Sequence, residues 1–139
     1  DGFVFLLSDT VGFIKRLPPQ LVAAFKATLE ELHEADLLAH LIDASHPQMM
    51  EQKLTVDAIL EELGLSGKPV SEVYNKVDLL PWGAERAFAR GSDSTPRIAV
   101  SARTGYGLDR LRDLLRDVLV SMDGRAAEPA PAPRLTVRG

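Results

Sequence analysis

The chain lacks three features that would each indicate a particular class of protein. It contains no cysteine, which excludes disulfides, thiol catalysis and cysteine metal sites and fits a reducing cytosol. Its formal net charge is -4, so no overall positive field attracts nucleic acid, and we predict no DNA partner. No apolar run approaches the length of a membrane span, and the first residues do not resemble a signal peptide. We therefore expect a cytoplasmic protein with no membrane span, and leave peripheral association with a membrane open.

The composition and the apolar pattern predict one α/β domain. Of the 139 residues, 45% are hydrophobic and 26% are charged, which suits a single globular domain. Apolar runs of strand length alternate with amphipathic helical patterns, as in a parallel sheet with flanking helices. Four strands are predicted, at Phe3 to Leu7, Leu37 to Ile42, Val70 to Tyr74 and Arg97 to Val100. About five helices are expected, among them one from Met49 to Leu63 and, the clearest, one from Leu108 to Leu119.

The last residues differ in composition from the rest of the chain. From Gly124 onward the sequence is rich in proline and alanine and shows no apolar period. Such a composition buries too little apolar surface to offset the entropy lost on ordering. We expect the folded domain to cover residues 1–122, and residues 123–139 to form a disordered tail.

Three polar segments follow predicted strands, and together they suggest a nucleotide site. They are Asp9-Thr10-Val11-Gly12, Asn75-Lys76-Val77-Asp78 and Ser101-Ala102-Arg103. Open α/β sheets place their ligands at the carboxyl ends of the strands, so these segments are expected to meet at one edge. Each segment alone also fits a turn or a helix cap. The ordered set favours a guanine nucleotide pocket.

The base-binding roles follow from hydrogen-bonding chemistry. The Asp78 carboxylate can accept two parallel hydrogen bonds from the N1–H and 2-amino groups of guanine, a pattern that adenine lacks. Asn75 would brace the loop and contact the base, and the aliphatic stem of Lys76 would lie across the ring or the ribose. The Ala102 amide would face the guanine oxygen, and Ser101 would orient the loop or Asp78.

The first segment carries the phosphate side of the predicted site. Asp9 would hold Mg²⁺ through a water molecule, and the Gly12 amide, which has no side chain beside it, would approach a terminal phosphate. GTP or GDP is the expected ligand and Mg²⁺ the expected cofactor. Phe13 stands where some GTPases carry a glutamine that orients the attacking water. Phenylalanine cannot polarise water, so we assign no catalytic residue.

A longer resemblance narrows the class of GTPase. The segments that carry it are Asp9-Thr10-Val11-Gly12-Phe13-Ile14, Leu17-Pro18, Leu21 to Glu30, Ala35 to His40 and Asp43-Ala44-Ser45. They closely resemble HflX-type GTPases, the first of them in the switch II region. The resemblance implies a P-loop NTPase-type, three-layer fold and Mg²⁺-dependent hydrolysis of GTP. It also implies binding to the large ribosomal subunit and action on stalled or hibernating ribosomes.

The chain departs from this family in lacking the phosphate-binding loop. No Gly-x-x-x-x-Gly-Lys-Ser/Thr is present, and the segment Gly64 to Pro69 has the wrong spacing for one. We expect the loop and an amino-terminal domain upstream of Asp1, and therefore an incomplete sheet with a gap between the strands that end near Asp9 and Asp43. The fragment alone should bind GTP weakly. The alternative is a noncatalytic remnant or interaction module that no longer cycles nucleotide.

A few further residues have more than one interpretation. Asp43 ends a strand near the ligand edge, where it either braces the pocket or caps a loop. Ser71 and Glu72 are polar in a strand that should be buried on both faces, and the sequence offers no account of them. The three histidines lack the close helical spacing of a zinc pair, so no metal site is predicted from them.

Overall fold

A computed structural model describes residues 4–9, 29–89, 91, 95–124 and 134–138. Five parallel strands form one sheet: β1 Leu6–Asp9, β2 Leu37–Asp43, β3 Val70–Asn75, β4 Arg97–Ala99 and β5 Arg134–Arg138. Their order across the sheet is β1-β5-β2-β3-β4. Two α-helices, α1 Met49–Glu62 and α2 Leu108–Asp123, accompany two 3-10 helices, Val77–Leu79 and Ala84–Phe88. Residues 29–34 are also helical.

The second strand organises a three-layer core. Successive side chains of a strand point to opposite faces of the sheet. Leu38 packs with Leu60 of α1 on one face, whereas Leu37 packs with Leu115 and Leu119 of α2 on the other. Apolar side chains on both faces let the sheet bury a helix on each side. The predicted arrangement of a parallel sheet between helices is confirmed.

The end of the chain corrects the sequence prediction. Residues 134–138, expected to lie in a disordered tail, form β5, and the sheet therefore has five strands rather than four. β5 pairs in parallel with β1 and β2, and Leu135 and Thr136 are 1% and 2% exposed. Leu135 joins the α2 side of the core, which supplies the apolar burial that the proline-rich composition did not suggest. The expected gap between β1 and β2 is filled.

A buried ionic cluster explains the presence of Glu72 in β3, but not that of Ser71, whose buried Oγ has no hydrogen-bond partner among the described residues. Glu72 is 4% exposed. Its carboxylate forms ion pairs with two cationic side chains and accepts a hydrogen bond from one hydroxyl group. These are Lys53 Nζ at 3.0 Å, Arg97 Nε at 2.8 Å and Tyr74 Oη at 2.8 Å. Lys53 also contacts Asp57 at 2.7 Å, within α1. The cluster therefore joins α1, β3 and β4 through one carboxylate.

The charges of this cluster are set by mutual contact. Burial raises the pKa of Glu72, but hydrogen bonds from Lys53 and Tyr74 and the nearby cations outweigh it, so the net shift is downward. Burial and the hydrogen bond to Glu72 raise the pKa of Tyr74 to about 12. Glu72 is accordingly ionised and Tyr74 neutral around pH 7.

Within the described residues, no helix has the length and apolar character that crossing a membrane requires.

Candidate functional site

Polar residues from neighbouring strands meet at the carboxyl edge of the sheet. Asp43 ends β2 and Asn75 ends β3, and the two are direct cross-strand partners. Ser101 follows β4 by two residues. Asp9 ends β1 and is exposed. This edge is where open α/β sheets place their ligands, and the structure brings the predicted residues from all four strands to it.

The segment after β3 begins with a strained backbone. Lys76 has φ 64°, the left-handed region, and is the only described residue other than glycine with a positive φ. Such a conformation costs free energy in a residue with a side chain and is concentrated at functional sites. The chain then enters the 3-10 helix that carries Val77 and Asp78. Val77 is buried and its amide donates to the Val100 carbonyl, which ties this turn to the end of β4.

Two hydrogen bonds join the Asn75–Asp78 segment to the Ser101 loop. Ser101 Oγ donates to Asp78 Oδ1 at 2.7 Å, and the Ala102 amide donates to Asn75 Oδ1 at 3.0 Å. Ser101 is fully buried, and its Oγ also accepts from the Thr104 amide at 3.2 Å. Asp78 itself is exposed. The loop therefore fixes the orientation of a carboxylate that a ligand can reach.

The Ala102 amide has a different partner from the one that the sequence suggested. We expected it to face a guanine oxygen, whereas in the structure it binds the Asn75 side chain. To bind the Ala102 amide, a base carbonyl would have to share this donor with Asn75 Oδ1 or displace Asn75 Oδ1 from it. Arg103, the last residue of the predicted segment, is exposed beside it.

Asp43 both caps its turn and contacts the lysine of the neighbouring segment. Its Oδ1 accepts from the Ser45 amide at 3.0 Å and from Ser45 Oγ at 2.7 Å, while its Oδ2 accepts from Lys76 Nζ at 2.6 Å. Partial burial raises the pKa of Asp43, but the hydrogen bonds from Lys76 and Ser45 and the charge of Lys76 lower it overall to about 2. The loop-cap interpretation holds at Oδ1, and Oδ2 contacts the Lys76 segment, to which the sequence assigns base binding.

A cavity of about 330 Å³ opens beside Asp78. Its lining consists of Val77, Asp78, Leu80, Trp82, Glu85, Ser101, Thr104 and Tyr106. The cavity therefore adjoins Asp78 and Ser101, but Asn75, Lys76 and Ala102 do not line it. Small-molecule sites generally begin at about 300 Å³ and combine apolar walls with a few polar groups. Trp82 is 95% exposed. Sequence reasoning missed Leu80, Trp82 and Tyr106 as lining residues, although the single tryptophan of the chain stands only four residues after Asp78.

The phosphate side of the predicted site is only partly described. Thr10, Val11 and Gly12 lie outside the described residues, as does Phe13. Asp9 lies three strand positions from Asn75, about 14 Å at the usual spacing of strands. The described residues contain no cluster of three or more metal-binding side chains. A single exposed carboxylate fits Mg²⁺, which keeps most of its waters and takes one or two protein ligands.

Comparison of folds places the chain among α/β proteins of the P-loop NTPase type. A solved structure of the SsGBP and GDP complex matches 81% of this chain and 38% of that chain, with a TM-score of 0.67 and 30% sequence identity. A mutation variant of SsGBP matches 82% of this chain and 43% of that one, with a TM-score of 0.69 and 28% identity. No model of a known protein family matches the sequence.

Curated relatives of this chain are HflX-type GTPases. The chain is 48% identical over 118 residues to GTPase HflX of Magnetococcus marinus, covering 84% of this chain and 26% of the relative. It is 43% identical over 115 residues to GTPase HflX of Escherichia coli, covering 82% and 27%. GTPase HflX of Lacrimispora saccharolytica is 43% identical over 118 residues, covering 85% and 27%. The chain is therefore homologous to a segment of the HflX-type GTPases, and it spans about a quarter of the length of the curated relatives it matches.

Proposed function

We propose that this chain supplies the guanine-recognition half of a GTPase. The observation that carries the proposal is the exposed Asp78 carboxylate, held by Ser101 Oγ at 2.7 Å beside a cavity of about 330 Å³. One carboxylate fixed in this way accepts the N1–H and 2-amino groups of guanine together, and charge-assisted pairs of this kind are strong and directional. GTP and GDP are the proposed ligands.

The neighbouring residues have supporting roles in this proposal. Asn75 braces the Ser101 loop through the Ala102 amide, and the aliphatic part of Lys76 covers the base or the ribose. Val77 anchors the turn from the buried side. The guanine oxygen would accept from the Ala102 amide only by sharing that donor with Asn75 Oδ1 or by displacing it. These contacts would favour guanine over adenine, because adenine cannot donate two parallel hydrogen bonds to the Asp78 carboxylate.

The phosphate half of the proposed site depends on the first strand. Asp9 would hold Mg²⁺ through water, and Thr10, Val11 and Gly12 would face the terminal phosphate. Mg²⁺ would neutralise the charge that develops on the phosphate oxygens during hydrolysis. We assign no residue of this chain to orient the attacking water, since Phe13 has no polar group. Hydrolysis of GTP to GDP and phosphate would require a group from elsewhere in the protein or from a partner.

By its homology to HflX-type GTPases, the whole protein is proposed to bind the large ribosomal subunit and to act on stalled or hibernating ribosomes. Such a protein would work in the cytoplasm. Lys15 and Arg16, in the switch II segment, are basic residues of the type that contacts ribosomal RNA phosphate. The nucleotide state would control ribosome binding through that segment.

One observation favours a second candidate, a noncatalytic interaction module. β5 occupies the position between β1 and β2 where we expected the family fold to hold the strand that leads into the phosphate loop. Its backbone pairs with both neighbours, so a second strand cannot enter the same position. A molecule with β5 in place would retain the base pocket and lack the phosphate cradle.

Nucleotide titration tests the base pocket that both candidates retain and the phosphate cradle that the second lacks. Trp82, the only tryptophan, lines the cavity, so its fluorescence should report occupancy. We expect saturable binding of GDP by the 139-residue chain with a dissociation constant of the order of 1 mM, about -4 kcal/mol. The dissociation constant for ADP should be at least about tenfold higher than that for GDP. An equal response to GDP and ADP would contradict guanine recognition, and nanomolar binding of GTP would contradict the loss of the phosphate cradle.

A further inference from the structure

The turn that follows β2 is bonded to the base-binding segment at two points. The Ala44 amide donates to the Asn75 carbonyl at 3.0 Å, and Lys76 Nζ donates to Asp43 Oδ2 at 2.6 Å. Asp43 and Asn75 are already cross-strand partners. One short turn therefore restrains both the backbone before Lys76 and the end of its side chain.

The geometry of Asp43 divides its two oxygens between two tasks. Oδ1 is occupied by the Ser45 amide and hydroxyl, which fixes the rotation of the carboxylate group. Oδ2 is thereby directed to Lys76. A loop cap alone would need only the first oxygen, so the contact with Lys76 is an additional property of this residue.

Lys76 is a costly residue to order without such a partner. Its backbone already adopts the left-handed conformation, and its side chain is 52% exposed while that of Asp43 is 29% exposed. A lysine side chain in solvent samples many rotamers, and a ligand that needs one of them bears the entropy of fixing it. Holding Nζ beforehand removes that cost from the binding step.

We propose that Asp43, oriented by Ser45, is a positioning residue that holds the Lys76 side chain across the base-binding end of the site and so sets nucleotide affinity without choosing the base. This inference rests on the proposed guanine site. It assigns selection of the base to Asp78 and strength of binding in part to Asp43. The two properties are expected to be separable by mutation.

Asp43→Asn is the informative variant because it preserves the cap. The asparagine Oδ1 still accepts from Ser45, whereas its amide group presents donors to the Lys76 ammonium. We expect the affinity for GDP to fall about three- to fivefold, the range of a partly exposed ion pair. The ratio of affinities for GDP and IDP should not change, because inosine differs only at the 2-amino group that Asp78 binds. Asp113→Asn removes an exposed carboxylate of α2 and serves as the matched control.

A double-mutant cycle with Lys76→Met separates positioning from folding. Methionine keeps an apolar stem of similar length and removes the charge. If Asp43 acts through Lys76, Asp43→Asn changes GDP affinity by less than about twofold in the Lys76→Met background. A loss as large as in the unmodified chain, or a changed ratio of GDP to IDP affinity, would overturn the inference. Failure of the unmodified chain to bind GDP at millimolar concentrations would instead overturn the proposed function itself, together with this inference.

Discussion

Removing the charge of Glu72 should destabilise the domain strongly, because this carboxylate joins α1, β3 and β4. In Glu72→Gln the side chain keeps its shape, but it loses its charge and presents an amide donor to Lys53 or Arg97. The side chains of Glu72 and Lys53 are 6% and 13% exposed. Breaking a buried ion pair by changing one partner costs about 3–5 kcal/mol. Arg97 is 40% exposed, so screening by water reduces its share to well under about 1 kcal/mol.

We therefore expect Glu72→Gln to lower the free energy of unfolding by about 3 kcal/mol. For a domain of this size that corresponds to a fall in melting temperature of roughly 10 °C. Urea denaturation followed by circular dichroism measures the change directly. Glu61→Gln, on the exposed surface of α1, is the matched control and should change stability by less than about 0.5 kcal/mol. A Glu72→Gln variant as stable as this control would refute the role of the cluster.

The same cluster predicts a pH dependence. In the folded protein the pKa of Glu72 lies below its ordinary value of 4.5. The contribution of Glu72 to the free energy of unfolding is therefore fully present above about pH 5, and it is lost as pH falls through the folded-state pKa. The difference in stability between the unmodified chain and Glu72→Gln should therefore shrink below about pH 4.5. A difference that grows in acid would show that the carboxylate is not held ionised by its partners.

Two further perturbations test the fold around the site. Gly107 has φ 74°, and a Cβ there would lie 2.3 Å from the Ala99 carbonyl oxygen. Gly107→Ala should therefore lower the free energy of unfolding, measured by urea denaturation, by more than about 1 kcal/mol. Gly67→Ala, where nothing lies within 4 Å of the added Cβ, is the control. The amides of Leu135 and Thr136 should exchange with deuterium as slowly as those of β2, because β5 is paired on both sides; exchange at the rate of an unstructured tail would contradict the presence of β5.

The parts of the fold that the sequence predicted are those with a long, regular pattern. Leu37 to Ile42 reads as a strand buried on both faces, and β2 occupies Leu37–Asp43. The leucine stripe of the last helix likewise predicts α2. β5 was missed because Leu135 to Val137 is too short to show a period, and its two partner strands lie far away in the chain. The burial of Glu72 was unexplained because Lys53 and Arg97, which compensate it, are distant in sequence.

In the candidate site, too, the sequence predicted the positions that strand ends determine and missed the contacts that depend on side-chain geometry. Asn75, Asp78 and Ser101 were predicted because strand ends fix their positions, and the structure joins the loops that carry them. The double role of Asp43 depends on which carboxylate oxygen faces which donor, and no sequence pattern determines that. The contribution of Trp82 to the cavity likewise depends on the path of its loop, which no sequence pattern determines.

Base selectivity of Asp78→Asn tests the central claim most directly. In the proposed site the Asp78 carboxylate accepts from the guanine N1–H and 2-amino groups, whereas an asparagine amide can donate to the 2-oxo group of xanthine. Titration of Trp82 fluorescence with GDP and with XDP measures the ratio of affinities in each protein. The unmodified chain should prefer GDP, and Asp78→Asn should prefer XDP. An Asp78→Asn variant that retains the GDP preference of the unmodified chain would contradict the assignment of this pocket to guanine.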